Sequence, residues 1–139
     1  MKMITVNRKC NDTAEIASAL LPVFEKYPEL VFAYLFGSLA TGSGGNMSDV
    51  DLAVYVDRQC GFSFSQKLRF HGDCCRVLRR NDVDVVVLNQ TRNLLLLEQI
   101  IRNGKIILNR DQAILDDFSL KIQHLALDFR LHRKSVMGI

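Results

Sequence analysis

The chain has 139 residues, of which 48% are hydrophobic, and its formal net charge is +3. This apolar content excludes an intrinsically disordered chain, and the length suits one domain. No apolar run approaches the roughly 20 residues that span a bilayer, and the N-terminus lacks the apolar core of a signal peptide. We therefore expect a cytoplasmic protein with reduced cysteines, no membrane contact and, given the small charge excess, no stable nucleic-acid binding.

The first half of the chain predicts one helix followed by two strands. Apolar residues at helical spacing predict a helix from about residue 14 to residue 27, which Pro28 ends. Leu30–Phe36 is continuously apolar and rich in aromatic residues, as in a strand that is buried on both faces. A loop rich in Gly and Ser spans residues 37–48, and Asp49–Val56 is the second predicted strand.

The second half continues the alternation. The predicted elements are a helix capped by Ser63 or Ser65 and ending near Arg80, a strand Val83–Leu88, a helix Thr91–Asn103 closed by Gly104, a strand Lys105–Leu108 and a long helix from Asp111 to about Lys134. In the first of these helices we expect Leu68, Cys75 and Leu78 on the buried side. Its basic residues, which are Lys67, Arg69, Arg76, Arg79 and Arg80, predict a solvated face, with a triphosphate, RNA or an acidic partner as the alternative. The pattern predicts one α/β domain.

The residues that indicate chemistry flank the glycine-rich loop. Gly37 lets the backbone approach an anion closely, and Ser38 can begin a short helix whose N–H groups face a phosphate chain. Asp49 and Asp51 are two residues apart on a strand, so both carboxylates point the same way. Because two adjacent carboxylates repel each other, we expect Mg²⁺ to neutralise them together with substrate phosphates.

A third carboxylate is predicted on the next strand. Asp84 interrupts a run of β-branched residues that reads as buried, where an unpaired charge costs several kcal/mol. If this strand lies beside Asp49–Val56, Asp84 completes a cluster of three carboxylates. Asp82 competes for this role because it is two residues away on the same face, and a polar residue on an edge strand is the alternative for both. We prefer Asp84, since Asp82 follows Asn81 in what reads as a solvated turn.

The last helix carries two apolar stripes. One stripe consists of Ile114, Phe118, Ile122, Leu125 and Phe129, and the other, nearly opposite, of Leu120, Leu127 and Leu131. A helix at the edge of a small domain needs only one apolar stripe. The second stripe therefore predicts a surface for a protein partner or another copy of this chain, and the alternatives are a helix wedged deeper in the fold or scattered exposed leucines.

These motifs together resemble a known family. Gly37-Ser38, ten intervening residues and Asp49-x-Asp51 resemble the signature of the nucleotidyltransferase superfamily that includes DNA polymerase beta. The fuller pattern looks like the minimal nucleotidyltransferase (MNT) branch, through Ala40, Gly42, Ser48, Leu52 and the string Val83-Asp84-Val85. The resemblance covers about residues 30–108. Leu39 and Thr41 stand where many relatives carry a basic residue, so the triphosphate charge must be met by Mg²⁺, backbone N–H groups or a distant Lys or Arg.

The resemblance implies a fold and a reaction. The fold is an α/β (α+β) nucleotidyltransferase fold: a small mixed sheet of about four strands flanked by helices, with its core at about residues 14–108 and a C-terminal helix at about residues 111–134. By the family pattern, Asp49, Asp51 and Asp84 would bind two Mg²⁺ ions and catalyse transfer of AMP from ATP, while Gly37, Ser38 and Ser48 would hold the nucleotide. Small members of this branch are commonly antitoxins that add AMP to a tyrosine of a HEPN-type toxin.

The sequence is also compatible with two other functions. The same chemistry could act on a small molecule such as an aminoglycoside, although only about 30 residues follow Leu108, which leaves little room for an acceptor-binding domain. Alternatively, the chain could be a non-catalytic module that neutralises a toxin by contact.

Overall fold

The structure, a computed structural model, describes residues 12–37 and 49–136. These residues form four helices and four strands in the predicted order. The elements are α1 Thr13–Glu25, β1 Leu30–Phe36, β2 Val50–Val56, α2 Phe64–Leu78, β3 Val83–Val87, a 3-10 turn Leu88–Gln90, α3 Leu94–Asn103, β4 Lys105–Asn109 and α4 Gln112–Val136. The predicted boundaries differ from these by up to three residues. The largest difference is at α3, which begins at Leu94 because the Asn93 side chain caps it by accepting a hydrogen bond from the Leu96 N–H.

The four strands form one mixed sheet in the order β3-β2-β1-β4. β1 pairs antiparallel with both β2 and β4, whereas β2 pairs parallel with β3. β3 is consequently an edge strand of this sheet. The expected small mixed sheet with flanking helices and a long C-terminal helix is confirmed.

Helices cover both faces of the sheet. α1 and α2 pack on one face, around Leu20, Phe24 and Phe70. α3 and α4 pack on the other face, where the Phe32 and Tyr55 rings stack with centroids 4.8 Å apart and Phe118 of α4 closes on both. Both faces of β1 are therefore buried, as its unbroken apolar run predicted.

The buried face of α2 differs from the prediction. Ser63 is the N-cap, in a capping box with Gln66, which settles the choice between the two serines. Leu78 is buried and Cys75 is half-buried as expected, but Leu68 is 54% exposed, so its predicted burial is wrong. Instead, Phe70, Cys74 and Leu78 are buried at intervals of four residues, and the middle of this face lies about 120° from Leu68 around the helix.

The buried face of α4 is also rotated from the predicted one. Leu115, Ile122 and Ala126 are buried, and Phe118 is half-buried. Three members of the predicted stripe are exposed, namely Ile114, Leu125 and Phe129. The helix approaches α3 and the sheet on the side of its small Ala126, which turns those residues outward. The second stripe of Leu120, Leu127 and Leu131 is exposed, with about half of each side chain accessible.

None of the helices in the described part of the chain is both long and apolar enough to cross a bilayer. The three cysteines among these residues, Cys60, Cys74 and Cys75, are free thiols.

A clamp joins the start of β1 to the end of α1. The Arg110 guanidinium, just after β4, donates hydrogen bonds to the carbonyl groups of Phe24, Tyr27 and Leu30 at 2.7–3.0 Å. The Tyr27 hydroxyl in turn donates to Asp73 of α2 at 2.7 Å. We call Arg110, Tyr27 and Asp73 the α1 clamp.

Candidate active site

The strand register brings two of the predicted carboxylates together. In the parallel pairing of β2 with β3, Asp51 lies opposite Asp84. In the antiparallel pairing of β1 with β2, Phe36 lies opposite Asp51, so Gly37 follows directly beside that carboxylate. The end of β1 and the beginnings of β2 and β3 thus meet at one edge of the sheet, which we call the acidic edge.

Gly37 is required at this position by both conformation and space. Its φ angle is +86°, in the region that glycine adopts at little cost. A Cβ atom at this position would collide with the carboxylate of Asp51. The group that Gly37 approaches closely in the structure is thus the Asp51 carboxylate, and an approach to a phosphate stays a prediction.

The electrostatics of the acidic edge reflect crowding of negative charge. Burial raises the pKa of Asp51 above its ordinary value, and the charges of Asp84 and Asp49 raise it further. Asp51 is half-buried, whereas Asp49 and Asp84 are exposed. The folded chain therefore disfavours the ionised form of Asp51 unless positive charge is supplied.

The exposure of Asp84 corrects one premise of the sequence analysis. Asp84 does not interrupt a fully buried strand, because β3 is an edge strand and its side chain lies on the face where Val86 is also partly accessible. The prediction that Asp84 bears the free-energy cost of a buried charge is therefore wrong. Its predicted neighbour is nevertheless correct, since β3 lies beside β2 and Asp84 faces Asp51.

The donor chemistry at this edge suits Mg²⁺. Within residues 12–37 and 49–136, no three His, Cys, Asp or Glu side chains converge into a ready-made metal cage. Mg²⁺ does not require one, because it is typically held by one or two carboxylates with substrate phosphates and water completing its octahedron. The carboxylates of the paired Asp51 and Asp84 fit this mode of binding. The remaining predicted nucleotide-binding positions, Ser38 and Ser48, lie outside the described residues, as do Leu39 and Thr41.

Asp82, the rival third carboxylate, is engaged by a residue that the sequence analysis placed wrongly. Arg80 donates from Nε to Asp82 Oδ1 at 2.8 Å and from Nη2 to Oδ2 at 2.9 Å. The Arg80 side chain is fully buried, so it does not belong to the solvated basic face, whereas Arg69, Arg76 and Arg79 are exposed as expected. Its position beyond the end of α2 and two residues before Asp82 was the available signal.

A separate cavity lies among the described residues, away from the acidic edge. It has a volume of about 740 Å³ and is lined by Tyr55, Arg58, Phe118 and Lys121 among others. Tyr55 is four residues along β2 from Asp51, towards the opposite end of the strand. The cavity and the acidic edge are therefore separate regions.

The chain is similar to a known protein family and to several solved structures. The family model described as polymerase beta, nucleotidyltransferase, matches residues 18–113. No curated protein matches the chain. Among solved structures, a toxin–antitoxin crystal structure with AMP-PNP superposes with a TM-score of 0.73 at 22% identity, covering 88% of this chain and 95% of that one. The toxin–antitoxin MntA-HepT gives a TM-score of 0.68 at 20% identity, covering 91% of this chain and 97% of that one. A protein from Shewanella oneidensis gives 0.67 at 18% identity, covering 88% and 93%.

Proposed function

Because the chain belongs to the polymerase beta nucleotidyltransferase family, we propose that it transfers AMP from ATP to a hydroxyl group, with Mg²⁺ held at the acidic edge. The observation that carries the proposal is the register that sets Asp51 opposite Asp84 beside Gly37. Carboxylates on adjacent strands offer the oxygen ligands that Mg²⁺ prefers when substrate phosphates complete its coordination.

Each residue of the acidic edge has a proposed role. Asp49 and Asp51 would hold the cations, and Asp84 would share one of them and accept the proton of the acceptor hydroxyl. The acceptor oxygen forms a bond to the α-phosphorus of ATP while the bond to the bridging oxygen breaks, and pyrophosphate leaves. Gly37, Ser38 and Ser48 contact the triphosphate. When bound, two Mg²⁺ ions stabilise the attacking and leaving oxygens of such an in-line displacement.

We further propose that the acceptor is a tyrosine of a HEPN-type toxin and that the chain acts as its antitoxin. Solved proteins of the same fold, matched over most of both chains, are described as toxin–antitoxin structures, and one of them was solved with AMP-PNP. The chain itself offers an apolar surface for a partner, formed by Leu120, Leu127 and Leu131 on α4. The same surface could hold a second copy of the chain, which the experiments below distinguish.

A label-transfer experiment tests the reaction. The purified chain is incubated with Mg²⁺ and the product of the neighbouring gene, in parallel with ATP labelled at the α-phosphate and at the γ-phosphate. AMP transfer labels the partner from the α-position alone, whereas a kinase would label it from the γ-position. An aminoglycoside in place of the partner tests the small-molecule alternative. No transfer to either acceptor, with toxin neutralisation intact, would favour the non-catalytic binding module.

Matched variants test whether transfer of the α-label depends on the acidic edge. Asp51→Asn and Asp84→Asn remove one charge each without changing shape, and we expect both to abolish the α-label. Asp128→Asn makes the same change at an exposed position of α4 and serves as the control. Equal label transfer by Asp51→Asn and Asp128→Asn would contradict the proposed site.

A further inference from the structure

Four aspartates, rather than three, lie in two neighbouring rows at the acidic edge. Asp51 faces Asp84, and the preceding step of the register pairs Val50 with Val83. The Val50 N–H donates to the Asp82 carbonyl oxygen at 2.9 Å, which sets Asp82 one step further along, beside Asp49. Since alternate residues of an extended chain share a face, all four positions belong to the same patch of backbone.

Arg80 distinguishes Asp82 from the other three aspartates. Its guanidinium binds both carboxylate oxygens of Asp82 at 2.8 and 2.9 Å in the bidentate arrangement that arginine forms most strongly. The Arg80 side chain is 0% exposed and that of Asp82 is 31% exposed. The Arg80 N–H also donates to the Cys75 carbonyl oxygen at 3.2 Å, which fixes this arginine to the end of α2.

The electrostatic neighbours of these aspartates agree with this division. Burial raises the pKa of the Cys75 thiol on α2, and the charge of Asp82 raises it further. The charges that raise the pKa of Asp51, after burial, are those of Asp84 and Asp49. The Asp82 carboxylate is thus bound by Arg80, whose backbone N–H is in turn bonded to α2.

We propose that Arg80 is a positioning residue that withholds the Asp82 carboxylate from the metal site and leaves Asp84 as the third carboxylate. This inference rests on the proposed nucleotidyl transfer. A fourth carboxylate would bind a divalent cation more tightly, but it would take a coordination position that the triphosphate needs. By holding Asp82, Arg80 therefore lowers the affinity of the site for the cation and keeps a coordination position free for the nucleotide.

The test compares two neighbouring arginines with Mn²⁺ alone as the probe. Arg80→Met removes the buried guanidinium, and Arg79→Met removes an equal charge from an exposed side chain one residue earlier. We expect Arg80→Met to bind Mn²⁺ about tenfold more tightly by calorimetry and to transfer AMP about tenfold more slowly at saturating ATP. We expect Arg79→Met to match the wild type in both measurements. If Arg80→Met only loosened the strands, its affinity for Mn²⁺ would fall. A higher Mn²⁺ affinity together with slower AMP transfer therefore supports the positioning role.

Removing the released carboxylate completes the experiment. Asp82→Asn added to Arg80→Met should return Mn²⁺ affinity and transfer to within about threefold of the wild type, because the two side chains act as one unit. Weaker Mn²⁺ binding in Arg80→Met, equality with Arg79→Met, or no recovery in the double variant would each overturn the assignment of Arg80. If the wild type itself binds no Mn²⁺, the proposed function fails first and this inference with it. Should Arg80→Met not fold, Arg80→Lys is measured instead, and we expect the same direction with a smaller change.

Discussion

The two ends of β1 differ in whether their charged groups are paired. At its beginning, the charged members of the α1 clamp are engaged: Arg110 donates to three carbonyl groups, and Asp73 accepts from Tyr27. At its end, Gly37 adjoins Asp51, whose charge is opposed by two further carboxylates. The first arrangement pairs its polar groups within the chain, whereas the second brings negative charges close enough to raise the pKa of Asp51. We therefore expect substitutions at the α1 clamp to affect folding and substitutions at the acidic edge to affect the proposed transfer reaction.

The largest effect is expected at the acidic edge, where activity and stability should move in opposite directions. Asp51→Asn should lower AMP transfer at least about 100-fold, because it removes a carboxylate from the reacting site. The same change should raise the melting temperature in metal-free buffer, because it relieves repulsion from Asp84 and Asp49. Transfer assays and thermal unfolding check the two halves. A variant that is both active and less stable would contradict the comparison.

The α1 clamp should show the converse behaviour. Arg110→Met removes three hydrogen bonds to main-chain carbonyl groups, and we expect the free energy of unfolding to fall by about 1–2 kcal/mol. Transfer at temperatures well below unfolding should be unchanged. Arg92→Met, at another exposed arginine, is the control for loss of charge. Urea unfolding measures the difference, and a loss of transfer without a loss of stability would argue against a purely structural clamp.

A smaller effect is expected at Tyr27, with a defined dependence on pH. Burial, followed by the hydrogen bond to Asp73, raises the pKa of Tyr27 from 10.0 to about 12. The neutral hydroxyl is thus favoured in the folded chain, so its contribution is complete below pH 10 and disappears as the pH rises towards 12. Tyr27→Phe should therefore be destabilised by about 1 kcal/mol at pH 8. The gap to the wild type should narrow at pH 11.5, as measured by urea unfolding, and a gap independent of pH would refute this account.

The smallest effect on stability is expected on the exposed stripe of α4. Replacing Leu127 and Leu131 together by Asp should change the free energy of unfolding by no more than about 0.5 kcal/mol per site, because both side chains are about half exposed. Co-purification with the toxin should nevertheless be abolished.

The control for this surface is Leu21→Asp on α1, which changes a leucine of similar exposure. Gel filtration of the chain without a partner shows whether the stripe holds a second copy instead. A complex that survives the double replacement would exclude this surface as the docking site.

Several features followed directly from the sequence, because they depend on local chemistry. The spacing of apolar residues defined the order of the helices and strands, and Ser63 supplies one of the two caps that the sequence offered for α2. The alternation of side chains along a strand was enough to predict that Asp49 and Asp51 share a face. The motif formed by Gly37, Asp49, Asp51 and Asp84 also indicated the family that residues 18–113 match.

Other features depended on how the elements pack, which local patterns do not contain. Helical spacing identified apolar positions in α4, but contact with α3 and the sheet decided that Ala126 faces inwards and Phe129 outwards. The position of β3 at the sheet edge exposed Asp84, although its sequence reads as buried. Arg80 reads as one more basic residue of a solvated helix, and only the tertiary structure buries it against Asp82. The sequence thus determined which chemical groups are present, and the packing determined which of them remain accessible to substrate.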